Sequence, residues 1–416
     1  MKKYIFTIAL LAACAGVKGQ LTVEQCWDRA RANYPLIERM ELIGRSADYT
    51  LANASRGYLP QLNLGAKASY QSDVTSVPIS MPGVNIPQMP KDQYDVRLEV
   101  SQVVWDGGRI KAGKQTARAA AEIEKRSLEV ELYALRERVN EMFFSILLLD
   151  RQIAQNTLYT EQLGRNHAQI EACVKNGVAN RTDLDAVRAE QLETERNTTT
   201  MRSSREAYVT MLAVMIGSEE SEIFLVEPLD AQAGEGALNR SELWLFDAQQ
   251  QSLRSQLQSL SARNRPVLGA FATGGYGQPG LNMLKTGFEP YYITGLRLSW
   301  NFGTLYTKKN DRRLIENDMR GVDLRRETFE FNTRMQTIGE RRQIDNIREV
   351  MRRDEEIVAL RENIRRAAEA RMVAGTINGT DLMREVTAEN LARQTALLHR
   401  VQLMQAIYKT KTTRNN

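Results

Sequence analysis

A mainly α-helical protein with a small β part is the fold class this sequence predicts, built as two internal repeats of two strands and a long helical hairpin. Three observations carry it. Leu128, Leu132, Leu135, Val139, Met142, Ile146, Leu149 and Ile153 are spaced four and three apart, an a/d seam that packs one helix along another. Strict apolar-polar alternation replaces that period in two pairs of short segments. The order of strand pair and helix pair then occurs twice along the 416 residues.

The chain opens on an address. Lys2 and Lys3 precede an apolar run over residues 5–13, and small residues follow, so residues 1–20 read as a secretory signal peptide. Residues 11–14, ending in Cys14, also have the shape of a lipoprotein cleavage box, with Cys14 as the lipidated residue. Cleavage near Gly19 or Gln20 removes three lysines and no acidic group, leaving 53 basic against 51 acidic residues. The net charge falls from +5 to +2, which weakens any nucleic-acid reading. Beyond the signal no apolar run approaches the ~20 residues of a membrane helix, so a membrane crossing here must use strands. Cys26 and Cys173, far apart in sequence, read as unpaired thiols, with a disulfide as the alternative.

The first repeat spans residues 21–230. Residues 21–56 have a helical pattern with Thr22 as N-cap, Glu24 in the first turn and a break at Asn33-Tyr34-Pro35. Strands follow at about 58–70 and 92–104, where Leu62, Leu64, Ala66, Ala68 and Tyr70 alternate with polar or small residues, as do Tyr94, Val96, Leu98 and Val100. Their length and dyad suit a transmembrane barrel, and equally a half-buried hairpin in a soluble sheet. A link containing Pro78, Pro82, Pro87 and Pro90 joins them as a surface loop. The helical hairpin covers 108–216. No proline interrupts residues 109–175, which at 1.5 Å per residue make a helix on the order of 100 Å long. Asn156 and Thr160 occupy its seam, and Thr194, Thr198 and Arg205 that of the return helix, which suits helices that also face water.

The second repeat, residues 231–416, has a helix from 241, strands at about 265–276 and 291–301, and a hairpin over 308–408. Pro60 matches Pro266 at the strand entry, and Trp105 matches Trp300 at the strand-to-helix corner. At the helix break, Gly177, Asn180, Thr182, Asp183 and Leu184 match Gly375, Asn378, Thr380, Asp381 and Leu382, five identities in eight residues at one offset.

Four strands of ~10 residues cannot close a membrane barrel, and an open edge in lipid leaves N–H and C=O groups unsatisfied at several kcal/mol each. Transmembrane strands therefore imply a barrel shared among subunits, eight strands from a dimer or twelve from a trimer.

The chain resembles the TolC-like outer-membrane efflux channel family. The resemblance rests on Tyr58-Leu59-Pro60-Gln61-Leu62, on residues 102–108 ending Trp105-Asp106-Gly107-Gly108, on Leu21-Thr22-Val23-Glu24 with Asn33-Tyr34-Pro35, and on the two Gly-x5-Asp-Leu breaks. It covers the whole mature chain. It implies a homotrimer in the outer membrane and its lipid, forming a 12-stranded barrel on a periplasmic helical tunnel, partnered by a periplasmic adaptor (membrane fusion) protein and an inner-membrane pump of RND or ABC type. The turns at Asn176, Gly177 and Val178 and at Gly375, Thr376 and Ile377 become tips that meet the adaptor. Asp381 falls at the first position of the family's acidic gate, whereas Arg384 occupies the second, which puts a two-ring acidic constriction in doubt and places Asp381 to pair with Arg384. Asp183 stands at the equivalent position of the first tip, and both aspartates also suit helix capping.

No catalytic constellation, metal-ligand cluster or cofactor loop is read here. His167 and His399 lie in helical runs as packing or surface residues. The competing class is a soluble or lipid-anchored periplasmic coiled-coil adaptor or scaffold without a pore. Within the channel class, small-molecule efflux and type I protein secretion both fit.

Overall fold

The computed structural model describes residues 20–75, 89–177, 179–228 and 236–415. The signal peptide, Cys14, most of the proline-rich loop and Val178 lie outside the described residues. The elements in order are α1 (Val23–Asn33), a 3-10 turn (Pro35–Ile37), α2 (Glu38–Arg56), β1 (Gln61–Tyr70), β2 (Asp92–Trp105), α3 (Arg109–Tyr133), α4 (Leu135–Lys175), α5 (Arg181–Ile216), α6 (Ser241–Arg263), β3 (Val267–Gln278), β4 (Glu289–Ser299), α7 (Thr304–Val373) and α8 (Gly379–Arg414). Mainly helical with one small sheet is the fold found. Among the described residues no helix is long and apolar enough to cross a membrane.

The chain divides into two compact units. The strand unit, residues 40–127 and 244–326, holds one antiparallel sheet in the order β1-β2-β3-β4. Register sets Leu64 beside Leu98, Leu98 beside Gly274 and Gly274 beside Tyr292, with Leu62, Val100, Ala272 and Thr294 in the next row. Period two puts these residues on one face, where Leu62, Leu64, Tyr292, Leu296 and Leu298 are 67–78% exposed. A soluble sheet buries such a face; this one is left bare. The opposite face carries Lys67, Asp95, Arg97, Glu99 and Arg297, with ion pairs Arg97–Asp95 at 3.7 Å and Arg297–Glu99 at 3.5 Å. A bulge at Val103/Trp105 bends β2 at its end.

The helical unit comprises residues 20–39, 128–243 and 327–415. Its larger core gathers Val23, Cys26 and Ala30 of α1, Val139, Phe143, Phe144 and Ile146 of α4, Leu212 and Ile216 of α5, and Val401, Met404 and Tyr408 of α8. Each large side chain buried there contributes about 1.5–3 kcal/mol. Thr22 caps α1 in a box with Gln25, and the Tyr408 hydroxyl donates to Glu24 at 2.8 Å. Cys26 and Cys173 are free, and burial pushes the Cys26 thiol up to about 12. The continuous helix expected over 109–175 is interrupted at Ala134, where Tyr133 turns its hydroxyl onto the Thr412 carbonyl and lies under the Arg136 and Arg240 guanidiniums.

Part of the polar seam differs from expectation. Asn156 and Thr194 are buried rather than wetted: the Asn156 amide donates to Thr198 Oγ1 at 3.2 Å and accepts from Gln394 Nε2 at 3.0 Å. At Asn156 facing polar groups take the place of water, whereas Thr160 is exposed and Arg205 is 36% exposed in its side chain, as expected of seam positions that face water.

Candidate functional site

Both helical tips lie in the helical unit. At the first, α4 ends as the Asn176 N–H donates to the Ala172 carbonyl, and Gly177 turns the chain at φ +74°. At the second, Gly375 does the same at φ +71°, with the Thr376 N–H and hydroxyl both on the Arg371 carbonyl. Left-handed backbone suits glycine, and each turn releases an asparagine that caps the next helix. Asn180 precedes α5, and Asn378 precedes α8, accepting from the Asp381 N–H at 2.7 Å. Ile377 packs against the smaller core of Tyr159, Leu163, Ile170, Val187, Met372 and Leu382.

Asp183 joins the two tips. One carboxylate oxygen accepts from its own helix start, the Asn180 N–H at 3.1 Å. The other accepts from the Thr380 N–H and the Thr380 hydroxyl, each at 3.0 Å. The group is 4% exposed. Gly379 makes the approach possible, since a Cβ there would stand 2.7 Å from the Asp183 Cβ.

Asp381 faces outward instead. Its side chain is 42% exposed and meets Arg384 at 3.9 Å, while Arg384 also reaches Glu385 at 3.2 Å. Exposed pairs of this length contribute at most ~1 kcal/mol. Arg361 approaches Glu385 at 3.5 Å, so α7 and α8 share a mixed-charge patch here. Deeper along the same helices, Glu389 is nearly fully buried between Arg365 and Arg393, and Arg393 also reaches Glu362 at 3.1 Å. Burial works to lower the Arg365 pKa, but its hydrogen bonds to Glu369 and Glu389 outweigh that and raise it. Tyr159 donates to Glu190 at 2.9 Å and lies 3.1 Å from the Thr387 hydroxyl; burial pushes its pKa upward, and it stays neutral. His399 is bound to Asp354 at 2.6 Å between α8 and α7, and His167 is half-buried on α4.

The strand-to-helix corners belong to the strand unit. Asp106 caps α3, accepting from the Gly108 N–H at 2.8 Å and the Ile110 N–H at 2.6 Å, with Gly107 and Gly108 both at positive φ. Trp300 donates to the Asn264 carbonyl at 3.2 Å, and Asn301 then accepts from the Gly303 N–H at 2.9 Å, as Asp106 does from Gly108.

The sequence reading passed over Gly379 and took Thr380 only as a repeat match to Thr182; both are partners of a carboxylate 196 or more positions away. Their one signal is a departure within the repeat: Gly379 stands where the first tip has Arg181.

Residues 27–218 match the family model described as outer membrane efflux protein. No curated protein matches the chain. Among solved structures, CusC, described through its folding and transmembrane channel formation, shares the fold at a TM-score of 0.70 and 13% identity, over 94% of this chain and 91% of that one. The open state of the Neisseria gonorrhoeae MtrE outer membrane channel does so at 0.67 and 14%, over 95% and 89%. The Campylobacter jejuni CmeC outer membrane channel does so at 0.63 and 14%, over 94% and 85%. At such identities the likeness is one of fold.

Proposed function

We propose that this chain, whose residues 27–218 match the outer membrane efflux protein model, is a TolC-like outer-membrane protein, the gated, passive exit duct of a tripartite efflux or type I secretion system. Its place is the outer membrane, with a helical tunnel in the periplasm. The family is one of transport, not of catalysis.

The observation that carries the channel reading is the sheet. One face is bare and apolar, the other charged, and β1 and β4 each have a single neighbour among the described residues. In lipid those two edges must be paired, and copies of the same chain are the simplest source. Three copies give the twelve strands of the family's barrel. In that assembly the two tips face a periplasmic adaptor through Asn176, Gly177, Gly375, Thr376 and Ile377, and the adaptor hands over to an inner-membrane pump. Val178, outside the described residues, belongs to the same contact in this reading. The gate consists of Asp381 and Arg384 lining the aperture, with Asp183 holding the tips together behind them.

Cell fractionation followed by detergent extraction and mass determination of the particle tests this. An outer-membrane trimer is the expected result. A soluble monomer in the periplasm would overturn the channel reading and favour the helical adaptor or scaffold.

A further inference from the structure

Beside the strand-to-helix corner, a cavity of 640 Å³ opens between the start of α3, the end of α6 and the first turns of α7, all within the strand unit. Four cations line it, Lys111, Arg265, Lys308 and Arg312, together with uncharged polar groups such as Gln115 and Ser261, and no carboxylate. Of these cations, Arg312 has an ion-pair partner among the described residues, Glu316 at 2.8 Å on its own helix. Arg265 donates to the Gly107 carbonyl at 3.4 Å, while neither Lys111 nor Lys308 has a hydrogen-bond or ion-pair partner among the described residues. Four like charges around one concavity raise the local concentration of anions, and the two lysines keep their full donor capacity for one.

The neighbouring aromatics set its depth. Trp105 lies three residues before Gly108 and is 46% exposed, and Trp300 and Phe302, with rings 4.6 Å apart, lie eight and six residues before Lys308. Exposed aromatics at the ends of membrane strands sit at headgroup level. A cavity of positive charge at that level meets phosphates more than any other anion.

We infer that this cavity is an anion site for a phosphate group, carried by an anionic phospholipid headgroup at the periplasmic face of the membrane. The choice of phosphate and its lipid source rests on the outer-membrane reading; the anion site itself does not. Lys111 and Lys308 supply the decisive charge, and Arg265 and Arg312 close the ring.

The test uses the full chain purified in mild detergent, as wild type, K111Q, K308Q and the double variant. One arm titrates inorganic phosphate by calorimetry. The other reconstitutes the protein into vesicles of phosphatidylcholine alone, or mixed equally with phosphatidylglycerol, and reads retained lipid by native mass spectrometry. Each neutralisation is expected to weaken phosphate binding about tenfold, the scale of one charged hydrogen bond, and the double variant to lose retained phosphatidylglycerol. Added salt weakens binding in both arms. Wild type and double variant binding alike in both arms overturns the site. Phosphate binding that depends on the lysines, without any preference for phosphatidylglycerol, overturns the lipid source and leaves a free phosphate ester as the ligand. The particle mass of each variant reports folding. A soluble monomer that still binds phosphate through the lysines sinks the channel reading alone, whereas a membrane trimer indifferent to both substitutions sinks this inference alone.

Discussion

The two helical tips carry the same five residues at the same spacing, yet their aspartates meet opposite fates. Asp183 is 4% exposed with both oxygens engaged; Asp381 is 42% exposed in its side chain and has one loose pair at 3.9 Å. What repeats is local. A left-handed glycine, an asparagine cap and a helix start each depend on residues within about six positions. The fate of the carboxylate depends on what the other tip brings to it. Thr380 and the bare Cα of Gly379 reach Asp183, while Asp381 receives no hydrogen bond from the first tip among the described residues.

Removing the Asp183 carboxylate is the strongest way to break that asymmetry. Asp183→Ala deletes a cap and removes the acceptor of the part-buried Thr380 and Asn180 N–H groups, for a loss of about 2–4 kcal/mol in local stability. Amide exchange at residues 176–183 and 375–382 reads it directly, with acceleration expected at both tips. Acceleration at the first tip alone would show that Asp183 is only a cap. Asp183→Asn, which keeps one acceptor oxygen for Thr380, is expected to lose about half as much.

Gly379→Ala attacks the same junction from the other side. A methyl group 2.7 Å from the Asp183 Cβ forces one tip away, at a cost of about 1–3 kcal/mol. Gly177→Ala and Gly375→Ala provide the scale for local strain, about 1–2 kcal/mol each, because both turns need positive φ, and a Cβ at Gly177 meets nothing within 4 Å. Thermal unfolding of the four variants should therefore rank Asp183→Ala and Gly379→Ala below the two turn variants. A Gly379→Ala protein as stable as wild type would remove the close approach from the account.

This ranking also separates what could be read in the sequence from what could not. The seam from Leu128 to Ile153, the dyad strands, the glycine turns and the tryptophan corners follow from spacing, because period and turn chemistry act over a few residues. The bond between Asp183 and Thr380 joins residues in different hairpins, and no periodicity records which helix faces which. Asn156 shows the same limit. As a polar seam residue it suggested water, but its partners are Thr198 and Gln394, brought to it by packing. The cation-lined cavity was equally hidden, since Lys111, Arg265 and Lys308 come from three separate segments.

The smallest effect on stability is expected at Asp381 and Arg384, and there the comparison sharpens into a functional test. Their pair is long and exposed, so Asp381→Asn and Arg384→Gln should each shift unfolding by no more than ~0.5 kcal/mol. Conductance in planar bilayers should respond differently. In a trimer each substitution removes three charges from one ring, and charges closer than the ~10 Å Debye length act on passing ions together. Asp381→Asn is expected to lower single-channel cation conductance by about twofold and Arg384→Gln to raise it, with the difference shrinking at high salt. Asp183→Asn, whose carboxylate is already spent on hydrogen bonds and hidden from solvent, should change leak through loosened tips rather than ion selectivity. Unchanged conductance in both Asp381→Asn and Arg384→Gln would move the gate away from the second tip. A selectivity change in Asp183→Asn equal to that of Asp381→Asn would mean that burial of the first aspartate does not survive in the assembled channel.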